Sequence, residues 1–309
     1  MTRYVIKRVF YMLLTLAIVA TLTFFMMHSI PGDPLGGMAR ELPEQTKANY
    51  YAKYGLDKPL TEQYLMYMKN LVRGDLGESL LYPGRSVTDT ILSTSPVSGL
   101  AGGIALIIGL IIGIAMGILA ALYKNKWPDY IVMVVAIIGI TVPVFVMASL
   151  MQYFFSVKLK WLPSSGWGEP KHLIMPVIVL SFSTIATYAR YIKSSMLDVL
   201  DQDYVLTARA KGLSEKMIVW RHVLRNSLLP AVTILSSRIV GIFTGSFIVE
   251  KMFSIPGIGF YYISSINNND YSMTLGTTVF YAGLFVVMQL VVDFVYMLVD
   301  PRIRISDAD

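Results

Sequence analysis

The chain has 309 residues, of which 55% are hydrophobic and 15% charged, with a formal net charge of +6. A soluble domain carries about a quarter charged residues, so the deficit points to a membrane protein whose apolar residues gather in long runs. The absence of cysteine excludes disulfides, thiolate metal sites and cysteine nucleophiles, and His28, His172 and His222 lie too far apart in sequence to suggest a histidine metal site.

Taken in order, the chain opens with a basic tip holding Arg3, Lys7 and Arg8, followed by 19 uncharged residues at 9–27. That run is long enough to span a bilayer and too long for a typical signal peptide, so it predicts an uncleaved first span with a cytoplasmic N-terminus. Pro31 and Pro34 end it. Residues 31–95 form a polar segment with seven Lys/Arg and eight Asp/Glu. Within it, 62–72 has helical periodicity, with Tyr64, Met68, Leu71 and Val72 on one side. A segment of this size has a marginal core of its own and is expected to pack against spans or a partner.

Residues 96–123 are 28 uncharged positions, with Gly109, Gly113 and Gly117 at every fourth place. Small residues at that spacing let helix backbones approach closely, either within this chain or against a second subunit. Residues 130–157 are again uncharged, with Pro143 inside them predicting a kink. A loop at 158–171, rich in Pro, Gly and Trp, includes Trp161 and Trp167, which suit a membrane interface. The fourth uncharged run is 172–189, the fifth span is expected at 228–249, and the sixth at 271–292 with its extension from Asp293.

Between the fourth and fifth spans lies the main polar run of the later chain, 197–230. From Arg209 to Arg225 it carries Arg209, Lys211, Lys216, Arg221 and Arg225 against Glu215. Gly212 divides it into two short helical patterns, and Ser214 is placed to cap the second. Met217, Trp220, Leu224 and Leu228 recur at helical spacing, which predicts one apolar and one basic face. The stretch is either a solvated loop or a docking element for a soluble partner. A plain linker needs no hinge glycine and no apolar face, which favours docking.

The segment TARAKGLSEKMIVWRHVLRNSLLP resembles the cytoplasmic loop of ABC importer permeases, and in particular the oligopeptide/dipeptide/nickel branch, with Ala208, Gly212 and Pro230 fitting its pattern. The Glu that begins the motif in other branches is absent; Leu206 stands six residues before Gly212. RYVIKRVF, SIPGDP, YGLDKPLTEQY and GDLGESL resemble, in order, the N-terminal region of B-type permeases of peptide importers, and residues 247–260 and the DPRIR ending extend the likeness over nearly the whole chain. The resemblance implies an all-α integral membrane protein of six spans with a two-helix cytoplasmic coupling loop at 194–229. Its parts would be an N-terminal tip and first span at 1–30, an extracytoplasmic segment at 31–95 and a core permease domain at 96–309.

It further implies a bacterial inner-membrane location with both termini cytoplasmic. The expected partners are a second permease of similar fold, two cytoplasmic ATPase subunits, an extracytoplasmic substrate-binding protein and the lipid bilayer, with no nucleic acid. The cargo would be oligopeptides, or else dipeptides, nickel chelates or another small solute. Residues expected to meet the ATPases are Ala208, Arg209, Lys211, Gly212, Met217, Trp220, Arg221 and Leu224. ATP and Mg would sit on the partner subunits, with no cofactor on this chain. Indeed no G-x-x-x-x-G-K-[S/T], G-x-S-x-G or H-E-x-x-H motif occurs, and the chain reads as non-catalytic.

With six spans and both termini inside, the inner segments hold 14 Lys/Arg and 8 Asp/Glu, and the outer segments 11 of each. The positive excess thus falls on the cytoplasmic face. Two charges remain inside spans, Arg238 and Asp293. An unpaired charge at depth costs roughly 2.5–3.5 kcal/mol on insertion scales, so each either lines a passage or forms a packing pair. An ATP-independent carrier predicts internal repeats and no docking loop, and a membrane-anchored sensor needs fewer spans.

Overall fold

The structure, a computed structural model, describes residues 2–35, 43–245 and 247–299. Among the described residues the chain is helical, apart from one antiparallel bridge between Glu78 and Ser86. The helices are α1 (Thr2–Ser29), α2 (Glu44–Tyr54), α3 (Leu60–Val72), α4 (Val87–Leu122), α5 (Trp127–Thr141), α6 (Val144–Met151), α7 (Pro170–Leu200), α8 (Asp203–Ala210), α9 (Glu215–Ile218), α10 (Leu224–Gly245), α11 (Phe247–Phe253), α12 (Ile258–Asn267) and α13 (Tyr271–Val299). Two π-helical turns, Gln152–Lys158 and Val219–Val223, continue α6 and α9.

Four of these helices are long and apolar enough to cross a bilayer, within Ile6–Ser29, Val87–Leu122, Pro170–Leu200 and Tyr271–Val292. A fifth crossing is available if α5 and the α6 segment count as one broken span, since they are inclined by 105°. The single kinked helix expected at 130–157 is therefore two helices. Val142 and Pro143 are both extended at the break (ψ 120° and 141°), because the proline ring disfavours a helical residue before it. The remaining span of the expected six, 228–249, falls on α10 and α11; many of its side chains, like that of Asp293 on α13, lie outside the described residues.

The chain forms two compact units. One comprises residues 1–97 and 256–286. Its core joins Phe24 and Met27 of α1, Leu35, Leu80, and Tyr271 and Leu275 of α13, with Tyr50, Tyr51, Tyr54, Leu56, Tyr64 and Tyr67 packed on it. The polar segment thus rests on spans through its tyrosines. On α3 it is Tyr64 and Tyr67 that meet the Phe24 ring, at 5.4 and 5.6 Å. Val72, expected on the same face, ends the helix and is 84% exposed.

The second unit comprises residues 98–255 and 287–309 and is built around α7. The glycine stripe of α4 packs on α7 of the same chain. A Cβ on Gly109 would lie 2.7 Å from the Thr184 Cβ, one on Gly113 2.9 Å from the Ile185 carbonyl oxygen, and one on Gly117 2.7 Å from the Ile192 Cβ. Gly139 of α5 meets Ala186 and the Phe182 carbonyl in the same way. Glycines let two backbones close on α7, where van der Waals contact rather than water exclusion holds helices together.

Candidate functional site

Past the end of α7 the backbone makes two short helices whose junction is fixed by local chemistry. At the end of α8, Gly212 N donates to Arg209 O (2.9 Å) and Leu213 N to Ala208 O (3.3 Å). This pairing requires a left-handed residue, and Gly212 supplies it at φ +76° without a Cβ penalty. The Ser214 hydroxyl then accepts from Met217 N at 3.4 Å, capping α9 as its position in the sequence indicated. Across the turn Arg209 donates to both carboxylate oxygens of Glu215, at 2.7 and 3.3 Å. That bond holds the exposed Glu215 carboxyl below its usual range.

The inward side of this element is apolar. Val205, Ala208, Ile218, Val219 and Val223 are buried with Tyr188, Ile192 and Met196 of α7 and Ala121 of α4, and Leu110, Ile114, Ile118, Leu213 and Leu228 pack around them. The outward side keeps Leu206 (55% exposed), Met217 (44%) and Trp220 (62%) in the open, beside the exposed Lys211, Lys216, Arg221 and Arg225. Tyr204 is also exposed, and its hydroxyl accepts from the Asn226 amide at 2.9 Å.

The single apolar face read from Met217, Trp220, Leu224 and Leu228 is therefore divided. Met217 and Trp220 point out, Leu224 is half-buried, and Leu228 packs inward. The π turn at Val219–Val223 is the physical reason. Its wider turn rotates everything after it relative to a 3.6-residue helix. Ala208 lies beneath the surface, and Arg209 is engaged by Glu215, whereas Lys211, Met217, Trp220 and Arg221 are presented together.

Two further contacts fasten α10 to α7: the Tyr188 hydroxyl donates to Ala231 O at 3.2 Å, and the Ser195 hydroxyl to Ser227 O at 3.1 Å. Arg238, half-buried on α10, donates to the hydroxyls of Ser183 (3.2 Å) and Thr187 (2.5 Å) on α7. Whether Asp293 joins it falls outside the described residues. An ion pair absent from the sequence reading links Lys193 of α7 to Asp129 at the start of α5. Two buried carboxylates were also not singled out. Glu250 accepts from Ser98 Oγ at 2.6 Å. Asp270 accepts from Ser79 Oγ and from the backbone of Leu80, Leu81 and Met273. Apart from Met273, the helix-cap donor to Asp270, their partners lie far along the chain, where no periodicity or spacing reaches.

Two family models match the sequence. One, described as the binding-protein-dependent transport system inner membrane component, covers residues 113–305. The other, the N-terminal part of a binding-protein-dependent transport system membrane component, covers residues 1–81. The dipeptide transport system permease protein DppB of Bacillus subtilis (strain 168) is 43% identical over 305 residues, covering 99% of both chains. The oligopeptide transport system permease protein OppB of Escherichia coli (strain K12) is 40% identical over 307 residues, covering 98% of this chain and all of that one. Among solved structures, an inward-facing MetNI methionine ABC transporter matches in fold, with a TM-score of 0.57 and 17% identity, over 69% of this chain and 97% of its own.

Proposed function

The chain belongs to the family of binding-protein-dependent transport system inner membrane components, and from that premise we propose that it is a permease subunit of an ATP-driven peptide importer in the bacterial inner membrane. Its full-length relatives are named dipeptide and oligopeptide permeases. Oligopeptides are the cargo we assign; dipeptides are the second reading, favoured by the relatives named for them. On this reading a second permease of similar fold completes the passage, two cytoplasmic ATPases with ATP and Mg supply the energy, and an extracytoplasmic binding protein delivers the peptide. Both termini lie in the cytoplasm, consistent with the positive excess there.

The observation that carries the mechanism is the division of α8 and α9 into two sides. Leu206, Met217 and Trp220 are offered outward beside Lys211 and Arg221, a mix of aromatic, methionine and basic groups suited to a protein contact. On the inward side the same element shares one core with α7 and α4. A displacement of the outer surface by a closing ATPase pair is then passed to α7 as one packed body, and from α7 to α4 and α5 across the glycine contacts. Gly212 sets the angle of the lever and Ser214 fixes its second arm. Arg209 acts within the element, through Glu215, and Ala208 and Leu224 support it from inside.

The test is ATP-dependent peptide uptake by the reconstituted complex carrying Trp220→Asp, together with co-purification of the ATPase subunits. Trp220 is exposed, so the permease is expected to insert and fold normally while the ATPases are lost and uptake falls at least tenfold. Full uptake with the ATPases still bound would remove the docking role.

A further inference from the structure

The outward side of α7 carries a polar stripe. Ser183, Thr187, Arg190 and Ser194 follow at helical spacing, and Ser183, Arg190 and Ser194 are exposed while Thr187 is half-buried. The other sides of the helix are occupied. Its Ser181, Thr184, Ile185, Tyr188, Ala189 and Ile192 side is closed by α4, and Phe182 and Ala186 meet Gly139 of α5. Between α5 and α7 a cavity of about 310 Å³ is lined by Ile140, Thr187, Arg190, Tyr191 and Ser194. Arg238 of α10 adds a second cation to the stripe, since it donates to Ser183 and Thr187.

The stripe carries two guanidinium groups, those of Arg190 and Arg238. Lys193, one turn further along α7, is neutralised by Asp129. Among the described residues the ion pairs are that one, Lys53–Glu78 and Arg209–Glu215, and none of them involves Arg190 or Arg238. Arg238 lies inside a span, where a guanidinium faces water, protein or a ligand of opposite charge rather than lipid, and Arg190 is exposed just past the uncharged run 172–189 of α7. Hydroxyls cannot balance them, because they supply oxygen but no charge. A guanidinium, with donors in a planar fork, matches a carboxylate in shape and sign.

We infer that Arg190 and Arg238, with the Thr187 hydroxyl between them, form a carboxylate subsite on this outward side of α7 that receives the C-terminal carboxylate of the travelling peptide. This deepens the peptide-importer reading and rests on it. The subsite recognises a group common to peptides of any sequence, so it adds directionality without narrowing side-chain choice. Ile140 and Tyr191 give the cavity an apolar wall against which the residue preceding that carboxylate rests.

The experiment compares ATP-driven uptake of a tripeptide with a free C-terminus and of its C-terminal amide by the complete complex in proteoliposomes. Each peptide is presented at concentrations that load the binding protein equally, so its own selectivity cancels. The wild-type complex is expected to favour the free acid. Arg190→Gln and Arg238→Gln each lower acid uptake about tenfold, the scale of one lost charge-assisted hydrogen bond, and leave amide uptake within about twofold. Arg238→Lys keeps most of the preference and checks that loss of packing is not the cause. Equal losses for acid and amide would overturn the subsite. So would a preference that follows the anionic lipid content of the vesicle rather than the peptide terminus, which would assign the cations to a lipid phosphate. Rescue of Arg238→Gln by Asp293→Asn would also overturn it, by assigning Arg238 to an ion pair. Failure of the wild-type complex to import either peptide would instead sink the peptide-importer reading.

Discussion

The Lys193 ammonium of α7 lies 2.5 Å from Asp129 Oδ1 on the first turn of α5, and Asp129 is only 3% exposed. The other carboxylate oxygen accepts from Asn125 N at 3.0 Å, in the left-handed turn that joins α4 to α5 (Asn125 φ 60°). One acid therefore fixes both a turn and a helix pair. Removing one partner of a buried pair strands the other charge, at a cost of about 3–5 kcal/mol, whereas removing both is far milder. Lys193→Met should lower the thermal midpoint of the purified complex sharply, and Lys193→Met with Asp129→Asn should recover most of it. A double variant as unstable as the single one would show that the pair is incidental.

The approach of α4 to α7 makes a graded prediction within one stripe. Alanine at Gly117 brings a Cβ to 2.7 Å from the Ile192 Cβ and 2.8 Å from the Ala189 carbonyl, and backbone cannot step aside cheaply. Overpacking of this kind costs about 1–3 kcal/mol. Gly103, further up the same helix, has no atom within 4 Å of such a Cβ. Gly103→Ala should leave stability unchanged or slightly raised, as expected for a helix interior. Melting curves in detergent for the two variants decide it, and equal midpoints would contradict the packing.

At Gly212 space is plentiful but conformation is not. No atom lies within 4 Å of an added Cβ, and φ is +76°. Gly212→Ala therefore meets only backbone strain, about 1–2 kcal/mol for a left-handed L-residue, and Gly212→Asn less. Gly212→Pro cannot hold that φ and loses the bond to Arg209 O. Peptide uptake should fall in the order Asn, Ala, Pro, with membrane insertion preserved in all. Full uptake with proline would refute the lever.

How much of this was open to sequence reasoning follows the range of the forces involved. Long uncharged runs marked the helices, since the bilayer requires them over a single stretch of chain. Gly212 and Ser214 were legible because turn and cap chemistry act within a few residues. The π turn at Val219–Val223 was not, because its insertion leaves no composition signal, and it turned Leu228 inward. The partner of the glycine stripe was left open because spacing states that a backbone comes close without saying whose. Lys193–Asp129 and Asp270–Ser79 depend on which helices become neighbours, so no local pattern announced them. At Pro143 the residue type gave the place of the bend but not its 105°.

Asp270 supports the last prediction. It stands before α13 and accepts from Met273 N at 3.1 Å as a helix cap. The same carboxylate accepts from Leu80 N (3.0 Å), Leu81 N (3.2 Å) and the Ser79 hydroxyl. It is 1% exposed, so all four donors would be left without an acceptor if it were removed. Asp270→Ala should therefore release residues 79–82 from the start of α13. Arg85 is the nearby reporter, because its guanidinium lies 4.5 Å from the Tyr261 ring and 5.8 Å from that of Tyr82. Release of Tyr82 loosens both contacts, and trypsin should then cleave after Arg85 several times faster in the purified complex. Asp75→Ala, which removes one exposed contact to Gly77 N (2.9 Å), is the control and should change the rate little. If cleavage after Arg85 were as slow in Asp270→Ala as in the unaltered protein, the segment would be held by its tyrosine core alone.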